Sequence, residues 1–407
     1  MDQARFQADV NGRILLPRGF RFAAVAAGIK YPGRLDLALA EAPGGAFAAA
    51  LFTANRVKAA PLLVGARNLK AAGGSVRAII VNSGNANCAT GERGIRACAE
   101  VCAGVAAELD CSPEHILPSS TGVIGMPLPA DCILRAVPQL VAGLNGGAEN
   151  AGLFARAIMT TDTRPKMAGA QFGPAGKAVT ILGVAKGAGM IHPNMATMLA
   201  YVFTDISARP ATLRRLLKQA CGGSFNAISV DGDTSTNDTL ALMASGASGF
   251  RLNGQNEKRF AAALQQVCSS LAGQIVADGE GVRHAIRLQV TRARNQGEAT
   301  RIAQVIATSL LVKTAWAGAD PNWGRILAAI GRSGINLDPA QISIWFGPHQ
   351  VCRGGAFREF DEKAAHEYMS QPFYDIRVSL GRGQAQAQLL TGDLTAEYVS
   401  INADYRS

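Results

Sequence analysis

The chain has 407 residues, 48% of them hydrophobic and 17% charged, a balance that belongs to a folded globular enzyme and excludes a disordered chain. At that length one ordinary core does not suffice, so two or more substructures are expected. The net charge of +10 comes with no zinc-finger spacing, no long Lys/Arg run and only 6% aromatics, so nucleic acid is not the expected partner; carboxylate-bearing substrates fit the basic excess, as does a merely solubilising surface.

From the start, residues 1–12 carry acids early and lack the apolar core of a secretion signal. No uninterrupted apolar run reaches the roughly 18–20 residues of a membrane span. Short apolar runs at 20–28, 36–40, 46–52 and 76–81, bounded by turn formers, predict strands. Over 92–109 the residues Ile95, Cys98, Val101, Val105 and Leu109 recur at helical spacing. Helices are also expected over 129–144, with a kink or break at Pro138, and over 150–159. A strand over 178–184, a Gly/Pro-rich loop and a buried strand over 198–203 follow. Then come helices over 208–221 and 257–271, an alternating strand over 286–292 and one long amphipathic helix over 298–316. Strands such as 374–380 and 385–390 close the chain, with no internal repeat, so the class is mixed α/β with some antiparallel pairing. The 8 cysteines include no CxxC pair; Cys98 and Cys102, spaced i, i+4, read as two core thiols on one helix face, and the protein is expected to be reduced and cytoplasmic, with no metal.

Among stretches that could carry chemistry, 186–199 (KGAGMIHPNMATML) is the densest. It contains no GxxxxGK[ST], and His192 stands where a dinucleotide fingerprint wants Gly. It reads either as a turn between two strands or as a site built on Thr197. Were the Ala196–Thr197 bond broken, Thr197 would carry its own base, an α-amine of ordinary pKa about 7.7–8.0. The 5 histidines show no triad-like company. At 119–125 (SSTGVIG), Thr121 and Gly122 set a hydroxyl donor beside a backbone N–H, which suits a developing oxyanion at about 3 kcal/mol per donor; the plain alternative is a polar turn before a helix. Asp278-Gly-Glu280-Gly reads as paired carboxylates or as a hairpin tip. The run 313–325 is a polar-aromatic cluster or a helix end with a type I turn. The run 159–163 is a hydroxyl-rich site edge or a polar strand start.

Taken together, these stretches resemble the ornithine acetyltransferase family, also called glutamate N-acetyltransferase. The resemblance runs nearly end to end, through GFRFAAVAAGIK (19–30), NRVKAAP (55–61), VNSGNAN (81–87), STGVIG (120–125), MTTDTRPK (159–166), KGAGMIHPNMATML (186–199), DGEG (278–281), VKTAWAGADPNWGRI (312–326) and DLTAEYVSINADYRS (393–407). It implies a layered sheet-and-helix body shared with self-processing aminopeptidases, plus a C-terminal α/β portion. It implies self-cleavage at Ala196–Thr197 into an α chain (1–196) and a β chain (197–407), of which 197–285 completes the main body and 286–407 forms the C-terminal portion. It further implies that the two chains stay together, usually as an α2β2 heterotetramer. By the same resemblance Thr197 is expected to take acetyl from N-acetylornithine and pass it to glutamate, and some members also accept acetyl-CoA; no resident cofactor is implied. Thr121 and Gly122 match the oxyanion pair, and Lys186, Thr160 or Thr161, Glu280, Asn402 and Ser407 match substrate contacts. Val282-Arg283-His284 replaces the usual Ala-Thr-Lys after DGEG, and Thr53-Ala54 replaces Thr-Asn. The rival readings are an N-terminal-threonine amidase or aminopeptidase, in which water replaces glutamate, and a binding protein without activity.

Overall fold

In the computed structural model, which describes residues 14–173, 178–192 and 198–404, the run Leu199–Thr204 is buried along its whole length. Its residues alternate between two cores: Ala200 and Val202 face one, Leu199, Tyr201 and Phe203 the other. A strand covered on both faces has no polar side to show, so it reads as a continuous apolar run.

Strands β1 (Arg21–Val25), β2 (Leu37–Phe52), β3 (Ser75–Asn85), β4 (Ile116–Val123), β5 (Lys166–Phe172), β6 (Val179–Lys186) and β7 (Leu199–Thr204) build this sheet together with β9 (Thr239–Ala244). The short β8 (Ile228–Ser229) belongs to the other sheet. The order is β4-β3-β2-β9-β7-β6-β5, with β1 antiparallel to the first part of β2. The expected strands at 36–40 and 46–52 are one long strand, β2, whose pairing with β3 is interrupted between Glu41 and Ala46.

Helices α1 (Ala60–Ala71), α2 (Gly91–Glu108) and α3 (Ala130–Ala142) pack together beside β1, β2 and β3. Cys98 and Cys102 are both buried in that core, and α3 runs through Pro138. Helix α4 (Ala148–Ala157) brings Phe154 to Phe22 and Phe203, the rings meeting edge to face at 5.1–6.1 Å. Such pairs add about 0.5–1.5 kcal/mol each beyond the area they bury. The remaining core lies under α5 (Pro210–Gly222) and α6 (Glu257–Ala277). By length and mean hydropathy α6 could cross a membrane, but 61% of its apolar window is buried inside the fold, against β5, β6 and α5.

The second sheet contains β10 (Ala285–Ala293), β11 (Ser343–Phe346), β12 (His349–Arg353), β13 (Ala356–Phe357), β14 (Phe373–Ser379) and β15 (Ala385–Gly392), ordered β13-β12-β11-β14-β10-β15-β8. In β10, Ile286, Leu288 and Val290 point to a core made with α7 (Gln296–Ala307), α8 (Leu310–Ala317) and α9 (Trp323–Gly331), while Arg287 and Gln289 are half-buried on the other face. Helix α10 (Glu362–Met369) adds Met369 to this core, and α11 (Ala396–Asp404) ends the described chain.

The long helix expected over 298–316 is two helices, α7 and α8. The Thr308 hydroxyl donates to the Gln304 carbonyl at 2.8 Å, and Ser309 turns extended at φ −77°, ψ 114°. Hydroxyl side chains compete for helix carbonyls, and here they end the helix where apolar periodicity alone continues it. The mixed α/β class expected from the sequence is the class the chain adopts.

Candidate active site

Lys186 is the last residue of β6 and pairs with Leu199, the first of β7. Thr121 and Gly122 sit near the end of β4, not in a turn before a helix. Gly122 has φ +133°, and a Cβ there would lie 2.3 Å from the Gly84 carbonyl carbon, so the approach of β4 to β3 admits only glycine. Thr160 and Thr161 follow α4, in a loop held by Arg34, whose Nη2 donates to the Thr160 carbonyl at 2.8 Å. Glu280 lies in the turn after α6 and Asn402 on α11. Thr121, Gly122, Thr160, Lys186, Glu280 and Asn402 line one cleft, and Thr161 lines it too.

Within it the Lys186 ammonium donates to Thr160 Oγ1 at 2.7 Å and reaches Thr121 Oγ1 at 3.5 Å. Its nearest carboxylate, Asp162 Oδ2, is 3.8 Å away. Burial pulls the Lys186 ammonium below its usual range, and the carboxylates of Asp162 and Glu280 oppose that pull. Asp162 is itself the hub of a buried knot. Its Oδ1 accepts from Lys166 Nζ and from the Gly187 N–H, both at 2.6 Å, and Lys166 also donates to Asp278 Oδ2 at 2.5 Å. Burial alone would raise the Asp162 carboxyl, but Lys186 and Lys166 outweigh it and hold the group well below the carboxylate range. On the far side, Asn402 Nδ2 donates to Glu280 Oε2 at 2.8 Å, and Gly189 packs so closely on Glu280 that a Cβ there would fall 2.4 Å from Oε2. A cation and a carboxylate on one small cleft match a ligand bearing both a carboxylate and an ammonium, and two hydroxyls beside the cation can stabilise charge on an oxygen.

Ala196, Thr197 and Ser407 lie outside the described residues. The peptide next downstream is described: the Met198 N–H donates to Asp238 Oδ1 at 3.0 Å, and burial pushes the Asp238 carboxyl well above its usual range. Asn237 donates to the carbonyls of Ala86 and Ser120 at 2.6 and 2.8 Å, fastening β4 in place, and the Thr53 hydroxyl donates to the Ser235 carbonyl at 2.9 Å. Asn55 Nδ2 donates to the Thr234 carbonyl at 3.1 Å and the Ala59 N–H to the Thr236 carbonyl at 3.0 Å, so the motif at 55–61 adjoins the segment that lines the cleft.

Sequence reasoning missed Asp162, Lys166, Asn237 and Asp238 as individual residues. The dense Asp/Thr/Asn run at 231–238 (DGDTSTND) was the available signal. The Asp278–Glu280 pair divides its labour: Asp278 joins the knot and only Glu280 lines the cleft. That turn joins α6 to β10 and is not a hairpin tip. The 312–326 motif stands apart from the cleft. Its Lys313 is buried against β15, donating to the Gly392 carbonyl and to Thr391 Oγ1, and Arg283 and His284 likewise adjoin Asp393 through their backbone. Among the described residues no group of three His, Cys, Asp or Glu side chains could hold a metal ion.

The sequence matches the ArgJ family over residues 21–407. It is 45% identical over 394 residues to the arginine biosynthesis bifunctional protein ArgJ of Geobacter sulfurreducens, covering 96% of this chain and 99% of that protein. Among solved structures, the ArgJ protein of Bacillus halodurans is 41% identical, with TM-score 0.49 over 51% of this chain and 100% of that one. The ornithine acetyltransferase of Mycobacterium tuberculosis, solved with ornithine, is 39% identical, with TM-score 0.39 over 45% of this chain and 93% of that one. A match of this extent places the chain in the ArgJ family, the ornithine acetyltransferases and glutamate N-acetyltransferases of arginine biosynthesis.

Proposed function

We propose that the cleft is the acetyl-transfer centre of this enzyme and that Thr197, released by self-cleavage of the Ala196–Thr197 bond, is its nucleophile. The observation that carries the reading is the meeting of Lys186, Thr160, Thr121 and Gly122 with Glu280 and Asn402 on one cleft, at the strand ends that flank residues 187–198.

In the first half-reaction the Thr197 hydroxyl attacks the acetyl carbonyl of N-acetylornithine while its α-amine takes the hydroxyl proton. The oxyanion forms against the Thr121 hydroxyl and the Gly122 N–H. Collapse breaks the C–N bond, the Thr197 ammonium returns the proton, and ornithine leaves. Glutamate's amine then attacks the acetyl-threonine by the same route in reverse, giving N-acetylglutamate. Lys186 pairs the substrate α-carboxylate, for which its distant Asp162 leaves room, and Glu280 faces the substrate ammonium or orients the Thr197 amine. Thr160 is the hydroxyl fixed by Lys186; Thr161 and Ser407 complete the substrate contacts. Residues 1–196 and 197–407 form the α and β chains, with 286–407 as the C-terminal portion. Two such pairs form an α2β2 heterotetramer in the cytoplasm.

The test is enzyme mixed with N-acetylornithine alone. It should release about one ornithine per site and leave a β chain heavier by one acetyl, which glutamate then removes. No acetylated β chain, with intersecting double-reciprocal lines, would replace the covalent route by direct transfer. Release of free acetate at the same rate with or without glutamate would make the enzyme an amidase.

A further inference from the structure

One carboxylate outside the cleft ties together the two pieces of backbone that carry its far wall. Asp231 accepts from the N–H groups of Met190 at 2.5 Å, Ile191 at 2.9 Å and Asp233 at 3.1 Å, and from the Tyr398 hydroxyl at 3.3 Å. An ionised carboxylate offers about four lone-pair sites, so four donors saturate it. The first two donors belong to the turn that follows Gly189, where Met190 is held at φ +58°, a conformation side chains rarely adopt. The fourth belongs to α11. One turn further along α11, Asn402 donates both to the Tyr398 carbonyl at 3.0 Å and to Glu280 at 2.8 Å. Glu280 in turn rests against Gly189, and its own N–H donates to the Ala188 carbonyl at 3.0 Å. The contacts close into a ring that runs from Asp231 through Tyr398, Asn402, Glu280 and Gly189 back to Met190.

We propose that Asp231 is a positioning residue for acetyl transfer: by clamping the 189–191 turn to α11 it sets Glu280 and Asn402 against the substrate. The inference rests on the reading of Glu280 and Asn402 as substrate contacts. It is not a packing device by default, because burial pushes the Asp231 carboxyl up to about 6 against the pull of its N–H donors. The folded state therefore takes up a proton more readily than the unfolded one, and this group's contribution to stability falls as pH rises from its ordinary 3.8 through about 6. Among the described residues, Asp233 adds to that cost by repulsion, Glu280 also lies near Tyr398, and the Lys313 ammonium from α8 attracts Asp231. A buried charge that costs stability at neutral pH and yet fixes a strained turn beside the cleft is what a functional clamp requires.

The test uses the processed full-length enzyme. Tyr398→Phe removes the α11 side of the ring and leaves the turn and the cleft residues untouched. It should raise KM for both N-acetylornithine and glutamate about tenfold, with kcat within about twofold, as the loss of one hydrogen bond to a charged group implies. Amide exchange over 396–404 should rise in the same variant. Asp231→Asn, which keeps the shape but turns an acceptor into a donor facing donors, should raise KM further. An unchanged KM in Tyr398→Phe overturns the proposal, whether or not α11 exchanges faster, and so does a fall in kcat with KM level. Failure of the parent reading shows separately, as a Thr197→Ala enzyme that still transfers acetyl.

Discussion

Lys166 and Lys186 are both buried ammonium groups that reach Asp162, and their surroundings differ. Lys166 lies 2.6 Å from Asp162 and 2.5 Å from Asp278, with no side-chain surface exposed. Lys186 stands 3.8 Å from Asp162 and keeps its short contact, 2.7 Å, for the Thr160 hydroxyl. An ammonium has three donors. Around Lys166 two of them meet carboxylates, so the charge is neutralised within the protein. Around Lys186 the close partners are neutral hydroxyls, so the charge is left for a ligand. Two buried cations thus differ in their partners: one is closed off by carboxylates, and the other, on the reading proposed above, is free to receive the substrate.

Removing the closed cation should have the largest effect. Lys166→Met leaves Asp162 and Asp278 buried without the ammonium they share, and breaking such a buried pair costs about 3–5 kcal/mol. Urea unfolding should show it as a large drop in midpoint; a midpoint near wild type would mean that the knot is dispensable. The open cation should behave in the opposite sense. Lys186→Met should lower kcat/KM about 10²–10³-fold, or about 3–4 kcal/mol of transition-state binding, while the unfolding midpoint stays within the range of ordinary surface changes. Equal losses of stability in the two variants would erase the distinction.

A third buried lysine among the described residues provides a smaller, finer test. Lys313 contacts a carbonyl and a hydroxyl, and burial pulls it down to about 8 against the attraction of Asp393 and Asp231. A lysine whose folded value lies below its ordinary 10.5 binds its proton less well in the fold than in the unfolded chain. Its contribution to stability therefore rises as pH climbs from about 8 towards 10.5. Lys313→Met should flatten that rise in a pH series of urea midpoints, and an unchanged slope would assign the effect to other groups.

Much of the fold was legible where packing is simple. The run 199–204 reads as a buried strand because both its faces are covered, and α2 because its apolar stripe is regular. Where backbone geometry overrides composition, the reading failed. Gly122 signals a turn by composition but serves the close approach of two strands. The break between α7 and α8 hides under an unbroken apolar period, because two hydroxyl residues cause it. In the cleft, Lys186, Glu280 and Asn402 meet, three residues that the resemblance gave as substrate contacts. Asp162 stands only four residues before Lys166, but the knot was invisible because its second carboxylate, Asp278, comes from a distant segment, and no local pattern records a contact made by tertiary folding.

The sheet order carries a consequence for what a cut between β6 and β7 leaves behind. Strands β7 and β9 lie between β2 and β6, so the later half of the chain is wedged into the middle of a sheet begun by the earlier half. Without the wedge, β2 and β6 would face each other across three strand spacings, about 14 Å. The two products of such a cut are therefore interleaved, not docked, and separating them means tearing two inner edges. A nicked molecule keeps for its lifetime the partner with which it was translated. Where two alleles are made in one cell, the two pieces of each nicked molecule would then descend from a single polypeptide.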